Sequence, residues 1–336
     1  MIRSFKNDIK RYLFEQSRDW IKDKRETYYR VFSTKGEQRS KISAYNVEIY
    51  PFGNEFLSYV SKVTEAQFRA LGYRLKTPVA SIGTCFAEEF ASHMKQSGGN
   101  YLYLEKNVFN SSANWGRVYT VPNLLQIIKY SVTDDVPVHI DQYEAGFLDP
   151  FRERSVGLYG NYDDARTAIM SHRTASGKIF RQADIVVITL GQNEAWLDKS
   201  KNIVWGSIPP SEMLRKDPER FSPVQFDFHK NVTDLSLVIQ TLRSVNSKVK
   251  IIFTVSPVGA YATFLNDNVV TQSFAGKCTL RACVHEVVKN HEDVFYFPSF
   301  EIVLSNNPRN FCADNRHVMR RCVKEIFSIL DSSLKG

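Results

Sequence analysis

Long apolar runs are missing from this chain. No stretch reaches the roughly 18–20 consecutive apolar residues that a membrane-spanning helix needs, and residues 1–19 hold no apolar core of a secretory signal. Cysteine is scarce: Cys85, Cys278, Cys283, Cys312 and Cys322 are five in 336 residues. A sparse, odd set fits a reducing compartment better than a disulfide framework. These absences lead us to expect a soluble, cytoplasmic protein. Zinc spacing is missing too. Cys278 and Cys283 lie five apart, and Cys312 and Cys322 flank an Asp/His cluster; neither pair matches C-x₂₋₄-C, so no metal is expected. There is no G-x-G-x-x-G and no P-loop, so nucleotide phosphates have no evident cradle. Internal repeats and low-complexity tracts are absent as well.

Charge is present but uneven. The formal net charge is +8. Residues 1–41 hold 12 Lys/Arg against 6 Asp/Glu, a surplus of six. Residues 1–45 read as a basic helical extension with spaced aromatics, including Tyr12, Trp20 and Tyr28. Such a segment is either a solvated face or a contact for an acidic surface: anionic lipid, a polyanionic glycan or a partner protein. Basic charge without a recognition motif gives no reason to expect nucleic acid.

From residue 46 to 336 the chain is long and apolar enough (43% hydrophobic overall) for one large domain with insertions. Strands are predicted over 79–83, 101–104, 184–190, 248–255 and 294–298. Helices are predicted over 86–97, 121–130, 226–245, 279–290 and 317–330. The run Asp184-Ile-Val-Val-Ile-Thr-Leu190 is the clearest buried strand. Continuous β-branched runs belong to parallel sheets covered on both faces. Alternating strands and helices give an α/β class with a mainly parallel sheet. The stretches 106–180 and 197–224 are too long for plain connections and are read as insertions that build a substrate site.

Four short blocks fall at predicted strand ends. They are Gly83-Thr84-Cys85, Asn114-Trp115-Gly116-Arg117, Gly191-Gln192-Asn193-Glu194 and Asp314-Asn315-Arg316-His317. Ligands of open α/β sheets sit at the carboxyl ends of strands. Cys85 is placed there at a helix start, where the dipole favours a thiolate. Acyl transfer needs a nucleophile, a base and a group that orients the base. Cys85, His317 and Asp314 can fill those places. Negative charge on the tetrahedral intermediate needs donors, and the backbone N–H groups of Cys85 and Gly116 and the amide of Asn193 suit that role. Bland readings compete at each position: packing for Cys85, a plain helix-start residue for His317, capping for Asp314, a turn for Gly116, backbone satisfaction for Asn193.

The segment Gly83-Thr84-Cys85-Phe86-Ala87 resembles the GSCFA family, which is similar to the SGNH/GDSL hydrolases with blocks G-D-S, Gly, G-x-N-D and D-x-x-H. The four blocks above occur in that order. Thr254-Val255-Ser256-Pro257-Val258 and Phe297-Pro298-Ser299-Phe300-Glu301 resemble further GSCFA segments. The likeness spans roughly residues 78–330. It implies a flavodoxin-like three-layer sandwich with five parallel strands, and acyl ester hydrolysis or acyl transfer on glycans, as in polysaccharide or capsule biosynthesis. Thr84 stands where the family name has Ser. Overlaying G-D-S on Gly83-Thr84-Cys85 puts Cys85 on the nucleophile, with Thr84 as the alternative. Glu194 replaces Asp but leaves the Asn193 amide in place.

The expected function is therefore an acyl esterase or O-acyltransferase with a Cys-His-Asp mechanism. It needs no cofactor, and acyl-CoA is a suitable donor because thiolate attack on a thioester is nearly isoenergetic. The competing reading is a glycan-binding or scaffold protein on a degenerate hydrolase fold. A third is a peripheral partner of anionic membranes through residues 1–41.

Overall fold

The main sheet is built from four strands that all point the same way. The computed structural model describes residues 50–51, 55–105, 109, 111–134, 136–306 and 310–335. The basic segment 1–45 lies outside the described residues. In chain order, α1 (Phe56–Phe68) leads to β1 (Val79–Gly83), α2 (Cys85–Gln96) and α3 (Val121–Val132). Three short strands follow: β2 (Asp141–Tyr143), β3 (Gly146–Leu148) and β4 (Leu158–Tyr159). Then come α4 (Tyr162–Gln182), β5 (Ile185–Leu190), β6 (Glu194–Asp198), β7 (Ile203–Trp205) and β8 (Phe221–Gln225). The chain continues through α5 (Phe228–Val245), β9 (Lys250–Val255), α6 (Val269–Asn290), β10 (Val294–Tyr296), α7 (Ser299–Asn306) and α8 (Arg320–Lys335).

The sheet order is β1-β5-β9-β10, with every pairing parallel. Strand residues alternate between its two faces. Val186, Ile188, Ile251, Phe253 and Val255 pack with Leu124, Phe180, Leu235, Ile239, Leu280 and Val284 from α3 to α6. Ile185, Val187 and Ile252 pack on the other face with Phe68, Phe90, Ile302, Ile326 and Leu330. Helices thus cover both faces, which is why β5 is apolar at nearly every position and wholly buried. Removing the ring of Phe253, buried at the sheet centre, would cost about 3–5 kcal/mol.

The fifth strand of the expected sheet is reduced to one residue. Tyr101 makes an isolated parallel bridge to Val79. The N–H of Val79 donates to Asn100 O at 2.9 Å and that of Leu102 to Val79 O at 2.8 Å. Leu104 N then pairs instead with Ser112 O at 3.1 Å, so the chain turns into its own loop.

Two other boundaries differ in ways that matter for the site. The helix predicted from 279 begins at Val269, because Asn268 caps it by accepting from Val270 N and Thr271 N. The terminal helix predicted from 317 begins at Arg320. Ahead of it, Phe311 and Val318 form an antiparallel bridge, and Asn315 takes a left-handed φ of 52°. That turn holds residues 314–317 out of the helix, so Asp314 does not cap it.

The stretch 106–180 contains α3, the β2-β3-β4 sheet and α4; 197–224 contributes to the antiparallel β7-β6-β8 sheet. Helix α4 had no counterpart in the sequence-based expectations. Its buried face carries Ala165, His172, Ser176 and Gly177 among its few large apolar residues. Gly177 is required there: a Cβ would lie 2.3 Å from Ser131 O of α3. A charge network joins the two small sheets. Asp141 accepts from Lys201 Nζ at 2.7 Å and from Arg220, which also reaches Asp198 at 2.9 Å through Nε.

Candidate active site

The first block forms the junction of β1 and α2. Gly83 has a φ of 142°, and a Cβ there would sit 2.2 Å from Thr189 O on β5. Only glycine lets the two strand ends lie so close. Thr84 is the N-cap of α2. Its Oγ1 accepts from Phe86 N at 3.3 Å, its carbonyl accepts from Ala87 N at 2.8 Å, and only 2% of it is exposed. Cys85, the first residue of α2, is half-buried.

The expected bias toward a thiolate is outweighed. Burial pushes the Cys85 thiol up, and the Glu88 carboxylate adds to that; Arg117, Lys277 and the Phe86 N–H pull it down by less. A thiol in this setting needs a base.

The second block lies against the end of β1, where Val118 N donates to Gly83 O at 2.8 Å. Trp115 is fully buried and stacks on Phe180 at 5.5 Å. Gly116 adopts a φ of 71°, favoured by glycine. Arg117 Nε donates to Glu88 Oε1 at 2.6 Å, closing one side of the site around Cys85.

The third block follows β5. The N–H groups of Gly191 and Gln192 both donate to Tyr119 O at 2.9 Å. Asn193 is engaged: its Nδ2 donates to Phe226 O at 2.6 Å and its Oδ1 accepts from Asn231 Nδ2 at 2.7 Å. It ties this loop to the start of α5, with one amide N–H left over. Glu194 accepts from Thr263 Oγ1 at 2.6 Å and Phe264 N at 2.7 Å, fixing the turn after β9.

The fourth block is an Asx turn. Asp314 Oδ1 accepts from the N–H groups of Arg316 (3.1 Å) and His317 (3.0 Å), while Oδ2 meets His317 Nδ1 at 2.5 Å. The imidazole and those two N–H groups hold the Asp314 carboxyl down at about 2. Arg316 Nη2 lies 3.1 Å from His317 Nε2. A guanidinium can only donate, so Nε2 accepts and Nδ1 carries the proton given to Asp314. That is the tautomer a general base needs. The pair is open to solvent, with 53% of the His317 side chain and 45% of the Asp314 side chain exposed.

A cavity of about 430 Å³ opens at the carboxyl ends of the strands, with Tyr119, Gly191, Trp196, Tyr261, Phe264 and Lys277 in its wall. Neither Cys85 nor His317 lines it, but neighbours of both do. A Cβ on Gly191 would lie 2.4 Å from Thr84 Cγ2, and Tyr119 and Lys277 feel the charge of Cys85. Arg316 donates to Gly259 O at 3.3 Å and lies 5.7 Å from the Tyr261 ring. Among the described residues, no hydrogen bond joins Cys85 to His317. No three of His, Cys, Asp and Glu among them could hold a metal ion. No helix among them is long and apolar enough to cross a membrane.

Sequence reasoning gave no role to Lys277. Its signal was a cation in the apolar register of a helix, since α6 buries Gly276, Lys277, Leu280, Cys283, Val284 and Val287. The signal was lost because that helix was started ten residues late.

The four blocks stand in order at the mouth of the parallel sheet, and the GSCFA family pattern matches residues 78–329. The chain belongs to the GSCFA family. Solved structures similar to this GSCFA protein include one described as a putative platelet activating factor from Streptococcus pneumonia (13% identity, 84% of this chain and 95% of that one, TM-score 0.38). A family 3 carbohydrate esterase from Talaromyces cellulolyticus is similar at 12% identity (77% and 96%, TM-score 0.33). The family 3 carbohydrate esterase of Clostridium thermocellum is similar at 11% (76% and 93%, TM-score 0.29). No curated protein matches the chain.

Proposed function

We propose that this GSCFA protein is an SGNH-like acyl hydrolase or acyltransferase with Cys85 as nucleophile and the His317–Asp314 pair as its base. The observation that carries the reading is the His317 tautomer: Nδ1 is held by Asp314, and Nε2 is an acceptor at the rim where the strand ends open. The capping role of Thr84 supports Cys85 over Thr84, because the Thr84 hydroxyl is buried and bound.

In the reaction, Nε2 of His317 takes the proton from Cys85 Sγ as the sulfur attacks the acyl carbon. The bond from that carbon to the donor's oxygen or sulfur breaks, and the leaving group takes the proton back. Water or a sugar hydroxyl then attacks the thioester and its proton passes through His317, returning the thiol. The N–H groups of Cys85 and Gly116, with the remaining N–H of Asn193, face the oxyanion. For this, Arg316 releases Nε2, which then comes within hydrogen-bond reach of Cys85 Sγ. Catalytic hydrogen bonds commonly tighten only in the substrate complex.

The aromatic cavity wall suits a sugar, since Trp196, Tyr261 and Phe264 offer flat apolar faces. That supports a glycan ester as substrate; the reading extends to a polysaccharide or capsule pathway in the cytoplasm, with acyl-CoA as the donor when the reaction is transfer. Residues 1–41 would then hold the enzyme to an acidic glycan or anionic membrane. The test is turnover of p-nitrophenyl acetate and labelled acetyl-CoA by the wild type, Cys85→Ala and His317→Ala. The wild type alone should turn over or become labelled; turnover that survives both substitutions overturns the reading. That no hydrogen bond joins Cys85 to His317 among the described residues favours a second reading, a glycan-binding protein on a degenerate hydrolase fold. It predicts sugar binding in the cavity with no acylation.

A further inference from the structure

Lys277 sits in the buried stripe of α6, with 4% of its surface exposed. Its Nζ donates to the carbonyl of Gly191. That carbonyl is its one hydrogen-bond partner among the described residues, and none of their carboxylates pairs with it. An ammonium has three donors, so two are uncommitted. A buried cation with no counter-charge is costly and is seldom kept without a use. Here the amine lies in the wall of the cavity rather than against a carboxylate.

Its surroundings lead directly to Cys85. Gly191, which holds Lys277, is in contact range of Thr84, the residue before Cys85. The charged groups that face Cys85 are Glu88 on α2, Arg117 on the loop before α3, and Lys277 on α6. Arg117 is committed to Glu88 at 2.6 Å. Lys277 is therefore the cation of the three without an acid of its own. The charge that faces Lys277 is Cys85 in turn.

We infer that Lys277 is the counter-ion for the negative charge that forms at Cys85, and that the cavity end lined by Lys277 and Gly191 receives the acyl group. The inference rests on Cys85 being the nucleophile. His317 still removes the proton from sulfur; Lys277 holds the charge left behind and then the charge on the acyl oxygen. Burial lowers Lys277 to about 7, while burial and Glu88 raise Cys85. One proton lost from this pair leaves either thiol with neutral amine or thiolate with ammonium. The second form brings no net charge into the cavity. It gives Cys85 a reactive population at a pH where the thiol alone would have little.

Alkylation by iodoacetamide reads this without any turnover. The rate at Cys85, followed by peptide mass from pH 6 to 10, should rise near pH 7 in the full-length wild type. In Lys277→Met the rise should move to higher pH, with alkylation at pH 8 slowed roughly tenfold or more, since one unit of pKa is a factor of ten in thiolate. Lys277→Arg should restore most of the rate, and exposed Cys278 should react equally in all three. Superimposable profiles for wild type and Lys277→Met overturn the inference. If Lys277→Met does not fold, the reciprocal measurement applies: in Cys85→Ala the titration of Lys277, read by competitive acetic anhydride labelling, should fall to lower pH. An unchanged midpoint there overturns it equally. If the profiles differ as described yet Cys85 never accepts an acyl group, the acyl-transfer reading fails and the pair stands. If Cys85 is acylated and the profiles coincide, the pair fails and acyl transfer stands.

Discussion

The guanidinium of Arg316 lies 3.1 Å from Nε2 of His317, on the nitrogen that would receive a proton from Cys85. It is anchored at Gly259 O and beside Tyr261, on the rim of the cavity. Arg316 thus competes with the thiol for the base. Arg316→Ala should speed acylation of Cys85 a few-fold with the wild-type fold retained, read by stopped-flow release of p-nitrophenol. A slower variant would mean that Arg316 positions His317 instead.

Asp314 fixes the tautomer of His317 through a 2.5 Å contact. Asp314→Asn keeps the shape and loses the acceptor charge, so acylation should drop by roughly 10²–10⁴ with KM little changed. The sign of the pH effect follows from the depressed carboxyl. The folded group titrates at about 2, below its ordinary 3.8, so its stabilising bonds are complete above pH 4 and vanish as pH falls through about 2. The stability gap between wild type and Asp314→Asn should therefore be constant above about pH 4 and close as pH falls toward 2, where the wild type loses a contribution the variant never had.

Thr84 and Cys85 separate cleanly. Thr84→Val removes the α2 cap and should cost about 1 kcal/mol in urea unfolding. It should leave acyl label on residue 85. Cys85→Ser should keep stability and lose most of the label.

Lys277 makes stability rise with pH, as Asp314 does, but by relief of a burial penalty rather than by gain of a bond. Its folded value of about 7 is below the unfolded 10.5. Between these the unfolded chain binds more protons, so the group's penalty is full below pH 7 and shrinks as pH rises. Urea midpoints should show Lys277→Met most stable relative to wild type at pH 6.5, with the gap narrowing by pH 8.5. A constant gap would contradict the burial of an ionisable amine.

Gly83→Ala places a Cβ within 2.2 Å of Thr189 O at a φ that alanine avoids. The strand ends must part, at a cost of roughly 2–4 kcal/mol in denaturant unfolding.

Much of this fold could be read from the residues. The run 185–190 announced a strand covered on both faces, and Gly83-Thr84-Cys85 announced a strand, turn and helix start, because local sterics and capping decide both. What failed was decided at longer range. Tyr101 alone bridges to β1, since the following residues pair with Ser112. Helix α4 carries small and polar residues where it approaches α3. Cys85 has its thiol raised rather than lowered, because burial and Glu88, three residues on, outweigh a helix dipole. The Asn193 amide was legible as polar, but its partners Phe226 and Asn231 come from another element. Lys277 depended on where α6 starts, which the cap at Asn268 sets.

The most direct measurement is peptide mapping of the acetylated protein after an acid quench with p-nitrophenyl acetate, in wild type and His317→Ala. The account predicts a thioester on Cys85 in the wild type that forms at least a hundredfold more slowly in His317→Ala. Equal rates of acetylation at Cys85 in the two proteins, or label confined to other residues, would contradict it.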